Sequence, residues 1–141
     1  MELSNTEQGP DFYDSKIELK HFEYQKPRLF DPAADFLPPP YGCPTIVDLG
    51  CGVGHFARIL FDRGYERYIG IDFSQMELVV AKKQVPQFCF RCADLRNVGL
   101  LKTLRKFKIF VCFEVLEHIT EDLKILENLQ GGLRLYFPSR I

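Results

Sequence analysis

Three glycines spaced two apart, in Asp48-Leu49-Gly50-Cys51-Gly52-Val53-Gly54, follow a short apolar stretch at residues 45–49. They precede a segment whose apolar residues Phe56, Ile59 and Leu60 recur at helical spacing. Glycine turns the chain sharply and lets the backbone approach another group closely, so a glycine run between a strand and a helix marks a ligand-facing turn. The N–H groups at the start of the following helix favour a partner carrying negative charge. The spacing is GxGxG, one residue tighter at its end than the GxGxxG of a dinucleotide turn, which disfavours a nicotinamide cofactor. A second acid, Asp72, stands eighteen positions after Gly54, at the end of the next apolar run. There a carboxylate can accept both hydroxyls of a ribose.

A chain of 141 residues has room for one core of ordinary size and is too short for two domains. With 46% hydrophobic residues and a net charge of −1, it has the character of neither a disordered acidic tail nor a strongly basic nucleic-acid surface. No apolar run approaches the roughly 20 residues of a membrane-spanning helix, and the polar start, residues 1–10, lacks the apolar stretch of a secretory signal. The expectation is a soluble, cytoplasmic protein with no membrane partner.

Residues 1–44 are polar, carry scattered aromatics, and end near Pro38-Pro39-Pro40, which stops any regular element. They read as an N-terminal arm, with one helix expected around residues 16–24. From residue 45 to 141 short apolar runs alternate with amphipathic segments, the pattern of βα units on a parallel sheet. Strands are expected at 45–49, 68–71, 88–92, 109–113 and 133–137. Helices are expected after the glycine turn, stopped by Gly64; after Ser74, which with Glu77 forms a capping box; at 100–106; and at 120–129, before Gly131-Gly132.

Five cysteines are an odd number, and most sit inside apolar runs, so they read as reduced core thiols. Cys89 and Cys92 have the spacing of a zinc or redox pair, but no matching second pair follows. On a strand, residues three apart also point to opposite faces.

From the glycine run onward the sequence resembles the class I S-adenosylmethionine-dependent methyltransferases, over roughly residues 45–138. Their first motif matches residues 47–54, so the resemblance places Asp48, Gly50, Cys51, Gly52 and Gly54 at the cofactor. It implies Asp72 as the ribose acid, Phe73 against the adenine, and Asp94 with Leu95 at its exocyclic amine. Phe113 and Glu114 would edge the methionine part. The implied fold is α/β: a Rossmann-like, doubly wound, mainly parallel sheet with helices on both faces. Members of the family continue past the fifth strand with two more, and this chain ends at Ile141, so its C-terminal strands read as missing. Either the chain is a fragment, or it needs a partner to cover an open sheet edge, which makes a homodimer one expectation.

Glu114-Val115-Leu116-Glu117-His118 is an ExxEH segment just past the fourth strand. On one helical turn Glu114, Glu117 and His118 converge and can act as catalytic residues holding a divalent metal such as magnesium. The string resembles a segment of the ubiquinone-pathway O-methyltransferases and of the small-RNA 2′-O-methyltransferases. The alternative is that the carboxylates cap a loop and the histidine packs or contacts an acceptor. Lys102, Arg105, Lys106 and Lys108 read as a solvated helix face, His55 as a neighbour of the cofactor, and Tyr13 and Tyr24 as arm aromatics that can close over it.

The expected activity is methyl transfer to an oxygen or nitrogen of a small-molecule acceptor. RNA 2′-O-methylation and a non-catalytic S-adenosylmethionine-binding module are the alternatives.

Overall fold

The computed structural model describes residues 30–113, 125, 128–129 and 133–137. Its elements are α1 (Phe30–Asp35), β1 (Ile46–Leu49), α2 (His55–Asp62), β2 (Tyr68–Asp72), α3 (Gln75–Gln84), β3 (Cys89–Cys92), α4 (Val98–Leu104), β4 (Ile109–Phe113) and β5 (Leu133–Phe137). The strands form one sheet in the order β3-β2-β1-β4-β5, every neighbouring pair parallel. Strands covered on both faces read as continuous apolar runs, and β1, β2 and β4 are buried along their whole length.

Side chains alternate across a strand, and the core divides accordingly. On one face Ile46, Tyr68, Phe90, Ile109, Val111 and Phe113 pack with Phe30, Phe56, Leu60, Leu78 and Ala81 from α1, α2 and α3. On the other, Val47, Leu49, Ile69, Ile71, Phe110 and Cys112 pack with Leu101 and Leu104 of α4 and with Ile125 and Leu129. Helices therefore cover both faces, and the doubly wound parallel fold expected from the sequence is the fold observed.

The helix ends have local causes. Gly64, at φ 93°, closes α2: its N–H donates to Phe61 O and the next N–H, of Tyr65, donates to Leu60 O. Ser74 Oγ accepts from the Glu77 N–H at 3.2 Å and starts α3, and Pro86 lies two residues beyond its end. Asn97 caps α4, which begins two residues before the expected 100.

Within the segment read as an arm, residues 30–43 build part of the core. Phe30, Ala33, Ala34, Leu37 and Cys43 are buried, and the Phe30 ring lies 4.7 Å from that of Phe113 and 5.6 Å from that of Phe56. Arg63 reaches across to Asp35 Oδ1 at 2.7 Å, and the Tyr65 hydroxyl donates to Pro38 O at 2.6 Å. The expected helix at 16–24 and most of that at 120–129 lie outside the described residues. Among the described residues no helix is long and apolar enough to cross a membrane.

Candidate functional site

Strand order reverses between β1 and β4, and in open parallel sheets ligands lodge outside the carboxyl ends of strands at such a switch point. The glycine turn sits there. Gly50, Gly52 and Gly54 have φ of 82°, 56° and 89°, values that L side chains rarely adopt. The turn is tied down through its own amides. Gly50 N–H and Cys51 N–H both donate to Ile71 O, at 2.7 and 3.0 Å, and Gly54 N–H donates to Cys51 O at 3.2 Å. Gly52 N–H donates to Asp72 Oδ2 at 2.8 Å. With four amides spent inside the protein, the turn is poorly furnished as a phosphate cradle.

Asp72 is buried at the end of β2. Its Oδ1 accepts from the Ser74 N–H at 2.9 Å, so the same carboxylate braces the turn and the start of α3. Burial pushes its pKa up, opposed by the N–H bonds from Ser74 and Gly52 and by a side-chain hydrogen bond with Glu77. A carboxylate offers about four lone-pair sites, and the Ser74 and Gly52 amides together with the Glu77 side chain take up most of them in the ligand-free protein.

Asp48 is fully buried in β1. The Tyr68 hydroxyl donates to its Oδ2 at 2.6 Å, while Oδ1 has no hydrogen-bond partner. Burial raises its pKa from 3.8 to about 7, the Tyr68 bond pulling it down and the nearby charge of Asp72 pushing it up. The Cys51 thiol, buried among Asp48, Asp72 and Glu77, has its pKa pushed well above the usual 9.0, first by burial and then by those charges. Cys51 packs here because β2 has no side chain at Gly70: a Cβ there would lie 2.8 Å from both Cys51 Sγ and Phe90 Cδ1.

The other sequence-derived residues are placed less uniformly. Phe73 follows β2 and is half-buried, its carbonyl accepting from Cys92 Sγ at 3.6 Å. Asp94 is partly exposed and gripped by Arg96, whose Nε lies 2.9 and 3.0 Å from its two oxygens. That guanidinium holds its pKa below the usual carboxylate value. Leu95 is buried in the core under α4, so its side chain is spent on packing. Phe113 lies in the aromatic group with Phe30 and Phe56, its ring 4.7 Å from each. His55 is half-buried as the first residue of α2. Lys102, Arg105, Lys106 and Lys108 are exposed, with Arg105 donating to Asn128 O at 2.7 Å. Glu114, Glu117, His118, Tyr13 and Tyr24 lie outside the described residues. Among the described residues no group of three His, Cys, Asp or Glu side chains is placed to hold a metal ion.

Sequence reasoning missed Tyr68, Gln84 and Arg96, and gave Glu77 only a capping role. Tyr68 was legible only as a strand residue; its partnership with Asp48 follows from the β1–β2 register, which sets Ile46 beside Tyr68 and Asp48 beside the bare Gly70.

The profile of the family described as Methyltransferase domain matches residues 46–134, the span of this sheet and its helices. The chain belongs to the class I S-adenosylmethionine-dependent methyltransferases. Within that family it is 29% identical over 102 residues to the ubiquinone biosynthesis O-methyltransferase of Coxiella burnetii, an alignment covering 67% of this chain and 42% of the relative. It is 30% identical over 95 residues to the tRNA U34 carboxymethyltransferase of Campylobacter jejuni, covering 62% of this chain and 31% of the relative. Its fold matches that of an S-adenosylmethionine-dependent methyltransferase from Mesorhizobium loti with a TM-score of 0.63 at 24% identity, over 77% of this chain and 52% of that one. The methyltransferase chain thus spans less than half the length of either curated relative.

Proposed function

We propose that this chain binds S-adenosylmethionine at the β1–β4 switch point and directs its methyl group to an oxygen or nitrogen of a small-molecule acceptor. One observation carries the reading: a turn whose amides are largely spent stands beside a buried carboxyl oxygen, Asp48 Oδ1, that has no partner. Such a site suits a ligand bringing N–H donors or positive charge and no phosphate, which fits S-adenosylmethionine and disfavours a dinucleotide. Bound there, the cofactor supplies a methyl carbon already activated by its sulfonium.

The protein's task is then placement. Asp72 takes the ribose hydroxyls, which replace the Glu77 side chain as its partner. Phe73 lies against the adenine, and Asp94, kept ionised by Arg96, accepts from the adenine amine beside Leu95. Phe113 and Glu114 edge the methionine end. Glu114, Glu117 and His118 would serve as the catalytic group and as the ligands of a divalent ion such as magnesium; two carboxylates and an imidazole are a donor set that manganese or zinc accepts more readily. Such an ion would lower the pKa of an acceptor hydroxyl.

The test is calorimetric titration with S-adenosylmethionine, its demethylated product and NAD, followed by transfer of labelled methyl groups to phenolic small molecules and to tRNA. Binding of the first two ligands with transfer to a small molecule is expected. The tRNA relative favours RNA as the second acceptor class, and transfer to tRNA alone selects it. Binding with no transfer to either makes the chain a cofactor-binding module, and binding of NAD alone overturns the reading.

A further inference from the structure

The backbone of α3 lies along the glycine turn through one stripe of side chains, Glu77, Ala81 and Gln84, spaced four and three residues apart on one helix face. Glu77 Oε2 would stand 3.7 Å from a Cβ at Gly52. A Cβ at Gly54 would fall 3.0 Å from Ala81 Cβ and 3.1 Å from Ala81 Cα, so helix and turn are already in contact. At the end of the stripe Gln84 Nε2 donates to Val53 O at 2.7 Å, and the Gln84 carbonyl accepts from Arg58 Nη1 of α2 at 3.2 Å.

The Val53–Gly54 peptide is therefore held from both sides: its carbonyl by Gln84 and its N–H by Cys51 O. A peptide unit beside glycine reverses easily, because glycine accepts φ of either sign. Reversal here would break both bonds at once. The Cys51 bond alone belongs to the turn; the Gln84 bond is supplied from another helix and selects one orientation of the peptide.

We propose that Gln84 is a positioning residue for cofactor binding, fixing the Val53–Gly54 peptide so that the turn is set before the ligand arrives. Its side-chain donor is engaged by Val53 O, so it acts through the turn. This inference rests on the assignment of S-adenosylmethionine to that turn.

The experiment compares Gln84→Met, which keeps length and removes the donor, with Gln84→Lys, which restores a donor at similar reach. Affinity for S-adenosylmethionine is measured well below each variant's unfolding midpoint, and amide exchange of Gly54 is measured in the ligand-free protein. Gln84→Met is expected to bind about 3- to 10-fold more weakly and to exchange Gly54 faster relative to β1 amides, the size of one lost hydrogen bond. Gln84→Lys is expected to restore both toward wild type. A packing role predicts the reverse, with methionine tolerated and lysine not. Wild-type affinity and exchange in Gln84→Met, or equal losses in both variants, overturns the role of Gln84. Wild-type protein that binds no S-adenosylmethionine overturns the cofactor assignment instead, and the exchange measurement still reports whether Gln84 holds the turn.

Discussion

Burial at Asp48 ties the stability of the site to pH. Its pKa is raised from 3.8 to about 7, so the native protein holds a proton that the unfolded chain releases between those values. Stability from this group is therefore fullest below about pH 4, falls by up to about 1.4 kcal/mol per pH unit as pH rises toward 7, and is level above that. Asp72, also raised, adds to the slope, and Asp94, lowered, opposes it, so the contribution is isolated by difference. Asp48→Asn is expected to gain about 2–3 kcal/mol relative to wild type between pH 5 and pH 8 in urea unfolding; an unchanged difference would mean that Asp48 is ionised in the native state throughout. Asp72→Ala should weaken S-adenosylmethionine binding by about 1–3 kcal/mol by calorimetry, since it removes an acceptor and leaves the Gly52 and Ser74 amides to find others. The residues that sequence made visible here were those defined by spacing: the glycines, Asp48 and Asp72. Tyr68 was hidden because an apolar strand gives no sign of which hydroxyl meets which carboxylate until the register is set. Arg96 was hidden because a pairing two residues along a loop has no periodicity.

At the scale of elements, the apolar runs located all five strands to within a residue or two; for β1, β2 and β4 the reason is burial on both faces, which demands that composition. Ser74 and Gly64 also announced their helix ends, because caps are chemical signals in single residues. The start of α4 was misjudged by two residues because Asn97, a good cap, was passed over in favour of the apolar run. α1 went unread for a different reason. Its six residues are too few for a periodic pattern, and Pro38-Pro39-Pro40 just beyond it suggested an irregular arm. What makes it an element is tertiary, namely the Phe30 ring wedged against Phe56 and Phe113. Phe30→Ala should accordingly cost about 3 kcal/mol in chemical denaturation, within the range for a buried aromatic, whereas Phe36→Ala, at a side chain 69% exposed, should cost about 0.5 kcal/mol or less. Equal, small losses would show that α1 is not docked in solution.

For the molecule as a whole, the sheet order β3-β2-β1-β4-β5 converts a linear list of motifs into a site by bringing the ends of β1, β2 and β4 together. Order along the chain does not specify order across the sheet, so the resemblance to a family supplied what periodicity could not. The ExxEH segment has its consequence at this scale too, because the metal would act on the acceptor rather than on the cofactor. If Glu117 and His118 hold a metal, methyl transfer should fall on adding chelator and in Glu117→Gln and His118→Ala while S-adenosylmethionine affinity stays near wild type; chelator-insensitive turnover leaves His118 as at most a general base. Light scattering during the same assays shows whether the active species is a dimer.

The five thiols fall into two sets. Cys43, Cys51 and Cys112 are buried, whereas Cys89 and Cys92 stand exposed on β3, and Cys92 Sγ already touches the Phe73 carbonyl at 3.6 Å. The native fold thus offers a natural attachment point for an environment-sensitive fluorophore. With Cys89 changed to Ser, a dye on Cys92 would sit beside the proposed adenine pocket, and ligand arrival would be read as a change in emission without any engineered cysteine.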